Sequence, residues 1–153
     1  MYSVRAINQS MKNFGSKSEY HHERTRDLLR AYFRCLETCA VVRMPDVFNR
    51  VVEMPASRFY VSATRAAVAV AAIMRGDSLR NMRQNKREMF FEIHRRVLLL
   101  RRIHCHMSLT RLVELAVAQP APKFYLAPGS ARVLILKARK KWFAEKVKRF
   151  QGC

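Results

Sequence analysis

Apolar positions along this chain recur mostly at helical spacing, and the breaks between them are sharp. In residues 19–40, Leu28, Leu29, Tyr32, Phe33 and Leu36 fall on one helical stripe with no Gly or Pro between them, which predicts a helix of several turns. Pro45 suits a first-turn position, so residues 46–53 read as a short helix, and Pro55 ends it because the ring disfavours helix in the residue before it. Residues 58–61 then read as an extended connector pinned by Phe59 and Tyr60. Ser62 is placed to cap a helix over 63–75, which closes at Gly76.

The order then recurs. Asn85 is expected to cap a helix reaching residue 102, with Phe90, Ile93, Val97 and Leu100 on one face. Ser108 caps residues 109–118, Pro120 ends that helix, and residues 123–126 form a second connector. Pro128, Gly129 and Ser130 make a turn and cap before a last helix over 131–150. In that helix Ile135, Trp142 and Phe143 are expected to face inward, with Lys137, Lys141 and Lys148 along another side. Strand patterns are nearly absent outside the connectors, so the fold class is all-α with about six helices.

The recurrence reaches the wording of the chain. Pro55-Ala56-Ser57-Arg58-Phe59-Tyr60-Val61 returns 65 residues later as Pro120-Ala121-Pro122-Lys123-Phe124-Tyr125-Leu126. The same offset lays Leu28 over Ile93 and Tyr32 over Val97. The expected architecture is therefore two tandem three-helix units, related by an internal repeat and sharing one core. Their bounds are 19–76 and 85–153, joined by a linker at 77–84 and preceded by a polar, flexible arm over residues 1–18. Within each unit, short helix, connector and capped helix follow the order of a helix-turn-helix, although a connector of about eight residues is longer than the usual three or four.

Charge changes the picture more than size does. Among 153 residues, 30 Lys and Arg face 11 Asp and Glu, a formal net charge of +19, while half of the chain is apolar. That composition can supply a packed core. The charge far exceeds what solubility asks for and costs self-repulsion unless a polyanion relieves it. The excess rises along the chain, from +3 in residues 1–40 and +3 in 41–80 to +5 in 81–120 and +8 in 121–153. Arg outnumbers Lys by 21 to 9, and a planar guanidinium can grip phosphate through two hydrogen bonds. The N-terminus lacks a signal-peptide pattern and the apolar runs are too short for a bilayer, so the expectation is a cytoplasmic protein without a membrane partner, its four cysteines reduced.

Each candidate for chemistry has a plainer counterpart. Arg65 and Arg75 in the first unit, and Arg132, Lys137 and Arg139 in the second, are placed to face nucleic acid if the third helices act as recognition helices. Otherwise they are a solvated face on a stable hairpin. Phe59, Tyr60, Phe124 and Tyr125 could stack bases while Arg58 and Lys123 hold phosphates. Aromatic pairs in Pro-bounded connectors are more often core anchors. The segment from Lys137 through Arg139, Lys140 and Lys141 to Lys148 and Arg149, interleaved with Trp142, Phe143 and Phe150, reads as a basic amphipathic helix. It suits a phosphate backbone first and a membrane surface or partner groove second. His104, Cys105 and His106, with Cys35 and Cys39 one turn apart, are zinc-ligand types without paired short-spaced motifs, so neither metal nor cofactor is expected. No Gly-rich phosphate loop, nucleophile elbow or converging acid–base set occurs, and a non-enzymatic protein is expected.

Residues 54–61, the run Asn85-Lys86-Arg87-Glu88-Met89-Phe90-Phe91-Glu92-Ile93, and residues 119–123 resemble a family of small basic proteins of gut anaerobic bacteria. The resemblance covers about residues 25–142. It implies a bacterial or mobile-element setting and carries no ligand and no site residues. From charge and pattern together, the expected function is nucleic-acid binding, DNA ahead of RNA and double-stranded DNA foremost. The alternative is a non-enzymatic interaction or assembly subunit that docks on an acidic partner or a nucleoprotein particle. Besides nucleic acid, a second copy of the chain and an acidic protein are the candidate partners.

Overall fold

The computed structural model describes residues 20–40 and 43–152. The expected N-terminal arm over residues 1–18 lies outside them. Six helices make up the described chain: α1 (His21–Thr38), α2 (Met44–Glu53), α3 (Ala63–Met74), α4 (Gln84–Ile103), α5 (Leu109–Val117) and α6 (Pro128–Gln151). No strand occurs among the described residues, and the fold is all-α.

Local chemistry explains most of the boundaries. Pro45 sits in the first turn of α2, where its missing N–H costs nothing. Ser62 and Ser108 each accept the backbone N–H three residues on, from Arg65 and Arg111, and so cap α3 and α5. After α3, Gly76 adopts a φ of +93°, which a side chain would strain. Two expected caps are replaced. Asn85 lies inside α4, which starts at Gln84 after Arg83 without a side-chain cap. Helix α6 begins at Pro128 itself, because proline's fixed φ fits the first helical position, so Gly129 and Ser130 form its first turn.

The linker at 77–84 is short and well tied. The Asp77 carboxylate accepts the Leu79 N–H at 2.8 Å, Leu79 is buried at a φ of +54°, and Arg87 reaches back to the Ser78 carbonyl at 2.9 Å.

The two connectors meet at the centre. Ala56 and Ala121 exchange both backbone hydrogen bonds at 3.0 Å, forming an isolated antiparallel bridge. On either side, the Phe59 N–H donates to the Val117 carbonyl and the Phe124 N–H to the Val52 carbonyl, each at 3.0 Å. These partners are related by the same 65-residue offset that relates the two phrases. The rings follow suit: Phe59 stacks with Tyr125 at 6.0 Å and Tyr60 with Phe124 at 6.4 Å. Phe59 and Phe124 are buried and anchor the core, while Tyr60 and Tyr125 are half-buried.

Because the connectors cross, the third helices change sides. Helix α3 packs against α4 and α5, and α6 packs against α1 and α2. Among the described residues α3 makes no close backbone approach to α1 or α2, nor α6 to α4 or α5. The arrangement therefore differs from two self-contained three-helix units in tandem. It also differs from a helix-turn-helix hairpin, whose consecutive helices pack on each other: the crossing connector carries α3 away from α2 and α6 away from α5. A single core joins everything, from Leu28 and Tyr32 of α1 through Val51, Phe59, Val70, Phe90, Ile93 and Val113 to Ile135 of α6.

Candidate nucleic-acid interface

The N-terminal turn of α1 carries His21, His22, Arg24 and Arg26, with Thr25 bonded to the His21 carbonyl at 2.7 Å. One turn on, the buried Asp27 anchors the first connector, its Oδ2 accepting the Ser57 N–H at 2.7 Å and the Tyr60 hydroxyl at 2.6 Å. Burial and this carboxylate push the Tyr60 phenol well above its ordinary value. Residue Glu92 lies at the matching offset in α4 but serves differently, holding Arg95 at 2.7 Å and Arg96 at 2.9 Å. Hydrogen bonds from these two arginines draw its carboxyl below the usual carboxylate range, against the opposing effect of burial. With no direct bond to a carboxylate, Tyr125 is still pushed up to about 12, first by burial and then by the field of Glu92.

Fixing α1 in this way places its first turn between two clefts. One, of about 420 Å³, lies between the starts of α1, α3 and α4, with His21, Arg24, Arg65 and Lys86 around it. The other, of about 440 Å³, lies between α1 and α6 and is lined by His22, Arg26, Lys137, Lys141 and Trp142, with Glu145 at one side. His21 borders both clefts, so the basic groups of α1, α3 and α4 around the first adjoin those of α1 and α6 around the second. The crowding of cations is visible at His21 itself. Desolvation comes first, and then Arg24, His22 and Lys137 pull its pKa below the ordinary histidine value. Trp142 is braced by Phe33 at 5.5 Å and Phe143 at 4.9 Å, and the Lys146 ammonium stands 4.0 Å over its ring.

The site residues expected from sequence divide into three groups. Arg65, Lys137 and Lys141 border these clefts. Arg58 and Lys123 are occupied instead: the Arg58 guanidinium lies 4.1 Å over the Tyr20 ring and bonds the Phe59 carbonyl, while Lys123 pairs with Glu88 at 2.9 Å. Arg139 is also drawn inward, bonding the Tyr32 hydroxyl at 3.3 Å and covering Phe143. The remaining residues are exposed but apart from the clefts. Arg75 is the C-cap of α3, Arg132 borders an apolar hollow beside Pro45 and Phe48, and Lys140, Lys148 and Arg149 lie along α6.

The outer part of α6 departs from expectation as well. Phe143 is 46% exposed, against an expected inward position, and Val147 and Phe150 are 53% and 82% exposed, forming an apolar stripe on the outer half of the helix.

Sequence reasoning did not assign His21, Arg24, Arg26 or Lys86 to a site. Their roles arise from helix starts that are distant along the chain. No linear spacing signals that meeting.

Among the described residues no group of three or more His, Cys, Asp or Glu could hold a metal ion. Cys35 and Cys39 approach to 3.9 Å between sulfurs, and the Arg50 guanidinium lies 3.2 Å from the Cys39 sulfur. Burial and the Cys39 thiol raise the Cys35 pKa, which keeps that thiol protonated. No described helix is long and apolar enough to cross a membrane.

No protein-family model, curated protein or solved structure matches this chain.

Proposed function

We propose that this protein binds nucleic acid, duplex DNA foremost, along the basic face that runs through the two clefts around His21. The observation that carries the reading is the shared border at His21, which joins Arg24, Arg65 and Lys86 to Arg26, Lys137 and Lys141. Cations concentrated on one side act together on a polyanion, and neutralised phosphates release counterions, so binding should weaken steeply with salt. Trp142, with one edge in the second cleft, adds a flat apolar contact for a sugar or base. The protein acts by binding and not by catalysis, in a bacterial regulatory or mobile-element role. Its two halves are two copies of one ancestral unit whose third helices have exchanged places.

The test is a titration against duplex DNA, single-stranded DNA and RNA over a range of salt. The wild-type protein is expected to bind with a steep salt slope, and the Lys137→Ala/Lys141→Ala variant to lose about one to two units of that slope. Unmeasurable affinity for all three at low salt, or an unchanged slope in the variant, overturns the reading.

A second reading is favoured by one observation, the stripe of Phe143, Val147 and Phe150 on α6. It suits an assembly role, in which an apolar partner surface with an acidic rim covers this helix. Val147→Ser/Phe150→Ser should then abolish partner capture while leaving duplex binding intact, whereas lost duplex binding would assign the stripe to the nucleic-acid face.

A further inference from the structure

The cleft among the starts of α1, α3 and α4 has features that a backbone-tracking surface does not need. It is a cavity of about 420 Å³, within the general size range of small-molecule sites. Side chains from the first two turns of three helices, α1, α3 and α4, line it, so cations that are distant along the chain share one space. His21, Arg24, Arg65 and Lys86 line it, and among the described residues no Asp or Glu does.

Arg24 is the most telling of these. The residue is half-buried, but its Nε is out of contact with solvent and has no hydrogen-bond partner among the described residues, which leaves a strong donor unsatisfied. Desolvation lowers the pKa of this guanidinium, with the neighbouring Tyr60 opposing that shift. Elsewhere the protein matches such groups with carboxylates, as in Arg95 and Arg96 with Glu92 or Lys123 with Glu88. Here the internal carboxylate, Asp27, is already committed to the Ser57 amide and the Tyr60 hydroxyl. The remaining wall is mixed, with Val61, Met89 and Phe90 as its apolar part beside Tyr20, Tyr60 and Ser62.

We propose that this cavity is a specific site for the phosphate group of a nucleotide, whether free or at the end of a strand. Its cations receive the phosphate, and the apolar part of its wall receives the body that carries it. Arg24 and Arg65, on different helices, would hold separate phosphate oxygens in the manner suited to guanidinium. The site does not depend on duplex binding, because it recognises a single phosphate end and not a helical backbone.

Calorimetric titration of the full chain with pyrophosphate, adenosine diphosphate, and a short single strand bearing either a 5′-phosphate or a 5′-hydroxyl tests the proposal. Saturable binding is expected, weakened about tenfold or more by Arg65→Glu and by Arg24→Met. Arg102→Ala, at the opposite end of α4, should change it less than twofold. Arg65 is exposed, so its variant should fold even if Arg24→Met does not, which thermal unfolding will show. A preference for the 5′-phosphorylated strand over adenosine diphosphate identifies a strand end as the source, and the reverse identifies a free nucleotide. The proposal is overturned if these ligands bind Arg65→Glu as well as wild type. It is equally overturned if Arg102→Ala weakens them as much, which would reduce the effect to general charge. Because Arg65 also lies on the face proposed for duplex binding, Lys137→Ala/Lys141→Ala is titrated with the same small ligands. Their binding should be unchanged while duplex binding weakens, so failure of one reading is distinguished from failure of the other.

Discussion

Asp27 shows how one side chain can set the position of a distant face. It is the buried charged residue of the described core, and both groups bound to its Oδ2 belong to the first connector. A carboxylate taken out of water needs such donors, and they in turn fix where Tyr60 and the start of α3 can lie. Asp27→Asn removes the charge, and an amide oxygen accepts the Ser57 and Tyr60 bonds more weakly than a carboxylate does. It is expected to cost about 2 kcal/mol, measured from the urea midpoint. A loss no larger than that of an exposed control such as Arg30→Ala would show that these bonds add nothing. Tyr125, the counterpart of Tyr60, packs its ring on Phe59 as Tyr60 does on Phe124, but it adopts a φ of +53°, so the repeated phrase is not used identically twice.

Helix α4 illustrates how an element combines local and remote support. Its Glu92 holds Arg95 and Arg96 one turn on, and its Glu88 reaches across to Lys123 on the second connector. Hydrogen bonds from Arg95 to Glu92, and from Lys123 to Glu88, draw both carboxyls below their ordinary range in the folded state. Groups whose folded pKa is depressed stabilise the fold above the unfolded value, about 4.3 for Glu, and lose that contribution as pH falls through the folded value. Wild-type stability should therefore drop more steeply below about pH 4.3 than that of Glu92→Gln, a comparison made by chemical unfolding at several pH values. Parallel pH profiles would rule Glu92 out as a contributor. Both carboxylates are partly solvated, so the effect is a modest one.

Much at this scale could be read directly from the chain. The serine caps at 62 and 108, the proline start of α2 and the glycine end of α3 depend on neighbours within a turn, and the structure has them where the local chemistry requires. Asn85 and Ser130 were misplaced as caps because several nearby residues could begin either helix, and sequence spacing alone does not choose among them. The expected inward position of Phe143 failed for a different reason. Helical periodicity continues to the end of α6, but its buried residues, Ala131 and Ile135, lie in the first half, and beyond Trp142, which packs on Phe33 of α1, the apolar positions are exposed.

At the scale of the whole molecule, the exchange of third helices makes each half depend on the other. A piece covering residues 20–80 lacks the helices on which α3 packs, and a piece covering 81–152 lacks those on which α6 packs. Each piece alone is expected to show little helix by circular dichroism, and an equimolar mixture to regain most of the signal of the intact chain. Full helicity in either piece alone would contradict the exchanged packing.

The sequence by itself determined the helices, their punctuation, the basic excess and the paired connectors, because caps, breaks and periodicity are written within a few residues of each other. Only the tertiary structure decided which helix packs on which. Two short connectors bridged through Ala56 and Ala121 send α3 and α6 to opposite sides, a choice made by the backbone bonds of residues 65 apart. The same crossing brings Arg24, Arg65 and Lys86 around one cavity. Their proximity is a consequence of packing, and charge counted along the chain contains no trace of it.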